Sequence, residues 1–244
     1  MHEEWRDIVS LALQAVDARY LETLLDDPNW LPGTNQLFRA FQRDRRHCRF
    51  ILFGESPYPR AQSANGIAFY DAAVEQLWSD KGLSKSVNRA TSLRNIIKTA
   101  LLAEKLITAD DDGKVTQPMI AALDKNGLID SIHAFFDALQ ARGFLLFNAT
   151  PVLHSERKPN AEARFWDGFI ERLLTEIARD SEALPTLVLW GKVAQQIEAT
   201  EAAQTFPKII SEHPYNISFI SNEKMQQLFA QLMLLQAKPK PLET

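Results

Sequence analysis

Four short apolar runs, each ending on or followed by polar residues, constrain this 244-residue chain more than any other feature. The runs are RFILFG at 49–54, GFLLFN at 143–148, TLVLWG at 186–191 and PKIISE at 207–212. Continuous apolar runs of about six residues, separated by helical stretches, predict strands of a parallel sheet that is buried on both faces. The expected fold class is α/β, with α/β/α layers around a central four-stranded parallel sheet.

Polar side chains at the ends of these runs are the first candidates for a site. Glu55 and Ser56 follow the first run, Asn148 ends the second, and Lys192 and His213 follow the third and fourth. Ligands of such sheets bind outside the carboxyl ends of the strands. We therefore expect a carboxylate, an amide, a cation and an imidazole to converge on one cleft, which favours chemistry over a purely structural role.

Composition indicates an ordinary globular protein. The chain has 45% hydrophobic and 24% charged residues, and its length allows a substantial core within one domain. We predict a single domain over residues 1–237. The Pro- and Lys-rich tail at 238–244 is expected to be disordered.

The sequence argues against disulfides, metal sites and membrane segments, and it favours a cytoplasmic location. Cys48 is the single cysteine, so neither a disulfide framework nor a zinc spacing is present, and no metal or cofactor is predicted. The acidic triplet at 110–112 lacks the length and terminal Glu of a calcium loop. The sequence shows neither a signal peptide nor an apolar run of membrane-spanning length, so a cytoplasmic protein without membrane contact is expected.

Net charge gives no support for nucleic-acid binding. The formal charge is −4, so a DNA-binding protein of this composition would depend on local basic patches.

The segment GESPYPRAQSANGIAF at 54–69 is the most specific motif in the chain. It resembles the water-activating segment of the ubiquitous first family of uracil-DNA glycosylases, typically GQDPYHGPGQAHGLAF. The positions that match without a gap are Gly54, Pro57, Tyr58, Ala64, Gly66 and Phe69.

Further motifs extend the resemblance over nearly the whole chain. In order, they are LFRAF at 37–41, TSLRNI at 91–96 (similar to PSLKNI), FLLFN at 144–148 (LLLLN), VLWGKVA at 188–194 (LLWGSxA) and HPYNIS at 213–218 (HPSPLS). The resemblance implies a uracil-DNA glycosylase fold and hydrolysis of the N-glycosidic bond of deoxyuridine in DNA, leaving an abasic site. It implies a monomeric repair enzyme, without a cofactor, that acts on single- or double-stranded DNA.

By resemblance, four residues handle the base. Asn148 would read uracil, because its amide offers one donor and one acceptor to the N3–H and O4 edge. Phe69 would stack on the base, and Tyr58 would exclude thymine by occupying the space of its 5-methyl group. His213 would donate to O2 as negative charge develops on the leaving base. The structural alternatives are a turn-capping Asn, a core Phe and an ordinary His-Pro loop.

The resemblance also implies that other residues contact DNA. Ser92, Gly191 and Lys192 would face phosphates, and Lys192 brings a cation where the family has Ser. A Ser at a helix start is also an N-cap, and the two roles do not compete. Ile217 falls where the family has a Leu wedge that enters the duplex as the nucleotide flips.

The sequence departs from the family at the chemistry. Ser56 replaces the catalytic Asp, Pro59 replaces a His, and Asn216 replaces the second Pro of the wedge loop. Glu55 resembles the active-site Glu of iron–sulfur glycosylases, whose four-cysteine cluster this chain cannot carry. We therefore expect a hybrid catalytic set of Glu55, Ser56 and His213, although Glu55 is also open to interpretation as a surface acid.

Two other functions stay open. The change at Ser56 favours a catalytically weakened relative that binds uracil, DNA or a partner protein. The base-reading set favours the enzyme, because a scaffold would not need it. A related hydrolase of another base or of a nucleoside is disfavoured by the wedge and phosphate motifs.

Overall fold

The four apolar runs form one parallel sheet in the computed structural model, which describes residues 1–27, 29–157 and 159–237. The strands are β1 (Trp30–Leu31), β2 (Phe50–Gly54), β3 (Trp78–Ser79), β4 (Gly82–Leu83), β5 (Phe144–Asn148), β6 (Leu153–His154), β7 (Thr186–Trp190) and β8 (Lys208–Ser211). The sheet has the order β5-β2-β7-β8, while β1 pairs with β6 and β3 with β4 as short antiparallel pairs. The predicted α/β class and four-stranded sheet are confirmed, with strand limits within one residue of the predicted runs.

Helices make up much of the rest of the described chain. They are α1 (Arg6–Leu13), α2 (Ala18–Asp26), α3 (Lys85–Arg89), α4 (Thr91–Ala103), α5 (Gln117–Ala121), α6 (Ile132–Ala141), α7 (Pro159–Arg179), α8 (Lys192–Glu198) and α9 (Glu223–Leu232). Apolar residues at helical spacing predict one helix over residues 5–27, but the structure has two, because Asp17 caps a new one by accepting a hydrogen bond from the Tyr20 amide at 2.9 Å. The sequence TNQLFRAFQR predicts a short helix over 34–43, where the structure contains only a 3-10 turn at Arg39–Gln42.

The described residues group into two compact units. The first combines Met1–Ala73 with Gln140–Ile210, and the second combines Val74–Leu139 with the chain from Ser211 onward. The single domain predicted over 1–237 stays a prediction, and the tail predicted at 238–244 lies outside the described residues. Within the described part of the chain, no helix is long and apolar enough to cross a membrane.

The first unit is organised around the sheet. Its core packs Phe53 and Phe147 of the sheet with Trp166 and Phe169 of α7, all at most 1% exposed. Apolar residues at helical spacing give α7 its buried face. The amphipathic pattern over 161–178 predicts Phe165 on the buried face, but Phe165 is 36% exposed and stacks on Tyr20, and Trp166 is buried instead. This core holds β2 and β5, whose ends carry the pocket described below.

The second unit is built on α4. This helix packs against α9 and against the 3-10 turn Ile217–Ser221. Thr99 Oγ1 donates to the Phe219 carbonyl at 3.3 Å, which ties α4 to that turn. Buried apolar residues such as Ile97 and Phe229 fill the space between the elements. The start of α4 and the loop before the 3-10 turn are thereby fixed together.

Candidate active site

The pocket begins where β2 and β5 end side by side. The parallel register aligns Gly54 with Asn148. Beyond the strands, the Ala149 amide donates to the Gly54 carbonyl at 2.8 Å and the Thr150 amide to the Glu55 carbonyl at 3.0 Å. These bonds continue the ladder past the sheet, so the segment after β2 is held against the segment after β5.

Gly54 leaves room for the amide of Asn148. A Cβ atom at position 54 would lie 2.3 Å from Asn148 Oδ1 and 2.8 Å from the Cβ of Ala68. Side chains cannot approach that closely, so the position of the Asn148 amide depends on a glycine at its neighbour in the sheet. Asn148 itself is 5% exposed.

A small pocket encloses that amide. It has about 190 Å³ of empty space and is lined by Ser56, Pro57, Tyr58, Ala64, Asn65, Gly66, Ile67, Phe69 and Asn148. Four residues implied by the resemblance, Ser56, Tyr58, Phe69 and Asn148, therefore meet in one place within the first unit. None of the nine lining residues bears a formal charge at neutral pH.

Two aromatic residues shape the pocket. The Tyr58 hydroxyl donates to the Phe69 carbonyl at 3.3 Å, and burial raises the pKa of Tyr58 to about 12, so this ring stays neutral at physiological pH. Phe69 has a positive φ of 64° and meets the Trp190 ring edge-on, with centroids 5.0 Å apart. A positive φ at a bulky residue is strained and persists where the surroundings enforce it, commonly at functional sites.

Asn65 lines the pocket and was missed by sequence reasoning. Its Oδ1 accepts a hydrogen bond from the Ile67 amide at 3.0 Å, whereas its buried Nδ2 has no hydrogen-bond partner among the described residues. Gly66 beside it is tightly enclosed, since a Cβ there would lie 1.8 Å from the Gln36 carbonyl oxygen. The signal available in the sequence was its place in the 54–69 motif, where the family has His.

The acidic groups near the pocket stand apart from its lining. Glu55 is exposed and does not line the pocket, although the adjacent Ser56 does. Asp71 is buried, but Arg60 pairs with its carboxylate at 3.0 Å and the Ala73 amide donates to its other oxygen at 3.0 Å. Its carboxylate oxygens therefore already have partners.

Gly191 and Lys192 follow β7 in the first unit. Gly191 has a positive φ of 66°, and Lys192 begins α8 with an exposed side chain. The turn thus presents a cation at the end of a central strand, and its contact with a phosphate stays a prediction.

Ser92 lies in the second unit, within the first turn of α4. The cap position belongs to Ala90, and no side-chain hydrogen bond caps this helix. The alternative role of Ser92 as N-cap is therefore wrong, because the helix begins one residue before it. Its partly exposed hydroxyl is not engaged in capping the helix.

The loop that carries His213 and Ile217 is held by a second residue that sequence reasoning missed. Asn95 of α4 is 1% exposed, and its Nδ2 donates to the carbonyls of residues 214, 215 and 216 at 2.8, 3.5 and 3.3 Å. The loop carbonyls therefore turn toward α4. The side chains of Tyr215 and Ile217 are 68% and 77% exposed.

One ring nitrogen of His213 is committed within this loop. The Tyr215 amide donates to His213 Nδ1 at 3.0 Å, which makes Nδ1 an acceptor. A neutral imidazole with this bond carries its proton on Nε2, so that atom is a hydrogen-bond donor. This is the form needed to donate to a carbonyl oxygen. Across the described ranges, no group of three or more His, Cys, Asp or Glu is placed to hold a metal ion.

A neutral pocket at the carboxyl ends of parallel strands defines a small-ligand-binding α/β protein. Comparisons identify the family. The chain is 38% identical to the wild-type UNG of Nitratifractor salsuginis, with a TM-score of 0.89 over 97% of this chain and 93% of that one. It is 24% identical over 222 residues to the uracil-DNA glycosylase of Corynebacterium glutamicum, covering 89% of this chain and 81% of the relative.

The mimivirus uracil-DNA glycosylase shares the fold alone, at 16% identity and a TM-score of 0.57 over 88% of this chain and 69% of that one. No family model matches the chain. The identity and coverage of the Nitratifractor protein place this chain in the uracil-DNA glycosylase family, whose members are DNA-repair hydrolases of N-glycosidic bonds.

Replacing Gly54 tests whether the sheet register positions the Asn148 amide. Gly54→Ala is expected to lower the free energy of unfolding by about 1–3 kcal/mol, because the added methyl overlaps Asn148 and Ala68. Uracil excision should fall by more than the stability loss explains. Urea denaturation and a uracil-excision assay measure the two effects.

Gly127→Ala provides the control, since its positive φ of 78° also penalises alanine while no atom lies within 4 Å of the new methyl. It should lose stability and keep activity. An active, fully stable Gly54→Ala protein would contradict the dependence of Asn148 on Gly54.

Proposed function

We propose that this protein hydrolyses the N-glycosidic bond of deoxyuridine in DNA, releasing uracil and leaving an abasic site. The observation that carries the proposal is the meeting of Tyr58, Phe69 and Asn148 in one buried pocket. The amide can distinguish uracil from cytosine, the blocking ring can distinguish it from thymine, and the aromatic face can hold the base by stacking.

The Asn148 amide is the proposed uracil reader. Its Oδ1 accepts from N3–H and its Nδ2 donates to O4, whereas cytosine presents the opposite pattern at this edge. Phe69 supplies the stacking surface, and Tyr58 occupies the space that a thymine methyl would need. The buried, neutral lining strengthens these hydrogen bonds because water does not compete for the same groups.

His213 is the proposed donor to the departing base. Cleavage develops positive charge on the sugar and negative charge on uracil. The Nε2–H of His213 would donate to O2 and stabilise that negative charge. Glu55, with Ser56, is the proposed holder of the attacking water. The Glu55 carboxylate is exposed, so this role requires the loop to turn toward the substrate.

DNA contact is assigned to the exposed groups of both units. Ser92, Gly191 and Lys192 would contact phosphates, and Ile217 would fill the space left by the flipped nucleotide. We further propose a monomeric, cytoplasmic enzyme that needs no cofactor and accepts single- or double-stranded DNA.

A specific observation favours a second candidate, a weakened relative that binds uracil-containing DNA. No carboxylate lines the pocket, and the family's catalytic Asp is Ser56. Losing a positioned acid–base group typically costs about 10²- to 10⁴-fold in rate. Binding without efficient excision would follow if nothing replaced that group.

Removing the Asn148 amide tests the proposed function. Asn148→Ala should lower excision from uracil-containing oligonucleotides by at least about 30-fold, because N3–H and O4 of the substrate are left unpaired at about 1–3 kcal/mol each. Single- and double-stranded substrates should both be affected. Asn126→Ala, at an exposed turn, is the control and should match the wild type. Unchanged excision with an unchanged melting temperature would remove Asn148 from the site.

Shortening Tyr58 tests the exclusion of thymine. Tyr58→Ala should admit measurable thymine excision, because the rigid ring no longer overlaps the 5-methyl group. Tyr58→Phe keeps the ring and loses only the hydrogen bond to the Phe69 carbonyl, so it should still reject thymine. Parallel assays on uracil and thymine substrates measure the ratio. Slow uracil excision by Tyr58→Ala without any thymine excision would place the barrier elsewhere.

Neutralising Glu55 tests the hybrid mechanism. Glu55→Gln should lower the single-turnover rate by about 10²-fold or more if the carboxylate opposes the developing sugar cation. Ser56→Asp should raise the rate or leave it unchanged. Glu22→Gln, at another exposed position of the first unit, controls for loss of surface charge. Full activity in Glu55→Gln would eliminate Glu55 from catalysis. An inactive wild type with a large gain in Ser56→Asp would identify the binding protein.

A further inference from the structure

Tyr215 is a large aromatic side chain in contact mainly with solvent. It is 68% exposed, and Ile217, two residues later, is 77% exposed. Only five large hydrophobic side chains in the described ranges are exposed, and two of them lie in this one loop. Neighbouring exposed apolar groups mark interaction surfaces more often than isolated ones do. The family motif has Ser where this chain has Tyr215, so the resemblance assigns it no role.

The loop presents Tyr215 from a fixed mount. Asn95 Nδ2 donates to the carbonyl of Tyr215 and to those of its two neighbours. The Tyr215 amide donates to His213 Nδ1 at 3.0 Å, and the Asn216 amide donates to the His213 carbonyl at 2.9 Å. Because the backbone is already ordered, little further conformational entropy is lost when the ring binds a partner.

Tyr215 lies beside the residue that occupies the wedge position. The chain turns between His213 and Asn216, and Ile217 begins the 3-10 turn that follows. By resemblance Ile217 falls where the family has its wedge, so Tyr215 is two residues from the side chain proposed to fill the position of the flipped nucleotide. The next base of a stacked strand is about 3.4 Å from that position. A base next to the flipped nucleotide is therefore the partner that this aromatic ring fits.

We propose that the Tyr215 ring stacks on a nucleobase next to the flipped deoxyuridine while Ile217 fills the vacated position. This inference rests on the proposed function. The ligand class is an unpaired or partly unstacked base in DNA, and stacking on an aromatic face is tolerant of base identity. Single-stranded substrate should depend on Tyr215 more than duplex does, because its bases are already unpaired and free to stack.

The test measures DNA affinity apart from catalysis. The probe is a single-stranded oligonucleotide with 2′-deoxypseudouridine, whose carbon–carbon glycosidic bond resists hydrolysis, beside a 2-aminopurine. Tyr215→Ser should raise the Kd for this oligonucleotide by roughly 5- to 150-fold, the range for loss of one base–aromatic stack. Tyr215→Phe should stay within about twofold of the wild type, because the stacking face is retained. The change in 2-aminopurine fluorescence on binding should persist in Tyr215→Phe and disappear in Tyr215→Ser.

Two controls separate stacking from disturbance of the loop. Leu25→Ser removes another exposed apolar side chain, 74% exposed in the first unit, and should leave Kd unchanged. Inhibition by free uracil should be the same in Tyr215→Ser and wild type, since stacking involves only the neighbouring base. Wild-type affinity in Tyr215→Ser, or an equal loss of uracil inhibition, would overturn the inference. Excision by the wild type tests the proposed function separately. If the proposed function is wrong, the wild type excises no uracil. If only this inference is wrong, the wild type excises uracil and Tyr215→Ser binds like the wild type.

Discussion

The site in the first unit depends on the parallel pairing of β2 with β5. That register places Gly54 opposite Asn148, and hydrogen bonds beyond the strand ends keep the two following segments together. A shift of one residue would turn every side chain of the shifted strand to the other face and remove the amide from the pocket. Because Gly54 has no side chain, the Asn148 amide fits opposite it in this register. The sheet therefore sets the position of the Asn148 amide, and the segment after β2 supplies the rest of the pocket lining.

In the second unit, one buried amide holds the loop that carries His213. Asn95 of α4 donates hydrogen bonds to three consecutive loop carbonyls. Thr99, one helical turn later, donates a hydrogen bond to the 3-10 turn that follows the loop. Because the loop carbonyls are already hydrogen-bonded within the protein, the loop can keep its conformation while its apolar side chains stay exposed. His213 belongs to the same network through its Nδ1. The exposed residues and the imidazole thus share one support.

The sequence allowed the sheet to be predicted because each central strand is a continuous apolar run, which has few other uses in a globular protein. Tyr58, Phe69 and Asn148 could be expected together because they stand in motifs that resemble those of the family, and Asn148 also ends a predicted strand. Helix limits were harder, since the apolar periodicity over residues 5–27 does not show the turn that Asp17 introduces. Asn65 and Asn95 were missed for a related reason. Their importance lies in bonds to distant or local backbone, and a single polar residue on a helix or loop carries no periodic signal.

The neutral lining of the pocket suits the binding of a neutral base better than the stabilisation of a charge. Its polar groups are a hydroxyl, two amides and a phenol that burial keeps protonated, while the nearby Asp71 is already paired with Arg60. Such a lining can select uracil by hydrogen bonding and shape, because both act on a neutral base. It offers no full charge to oppose the sugar cation that forms as the bond breaks. In the proposed mechanism the groups that would oppose developing charge, Glu55 and His213, do not line the pocket, so affinity for uracil and excision of uracil are worth measuring separately.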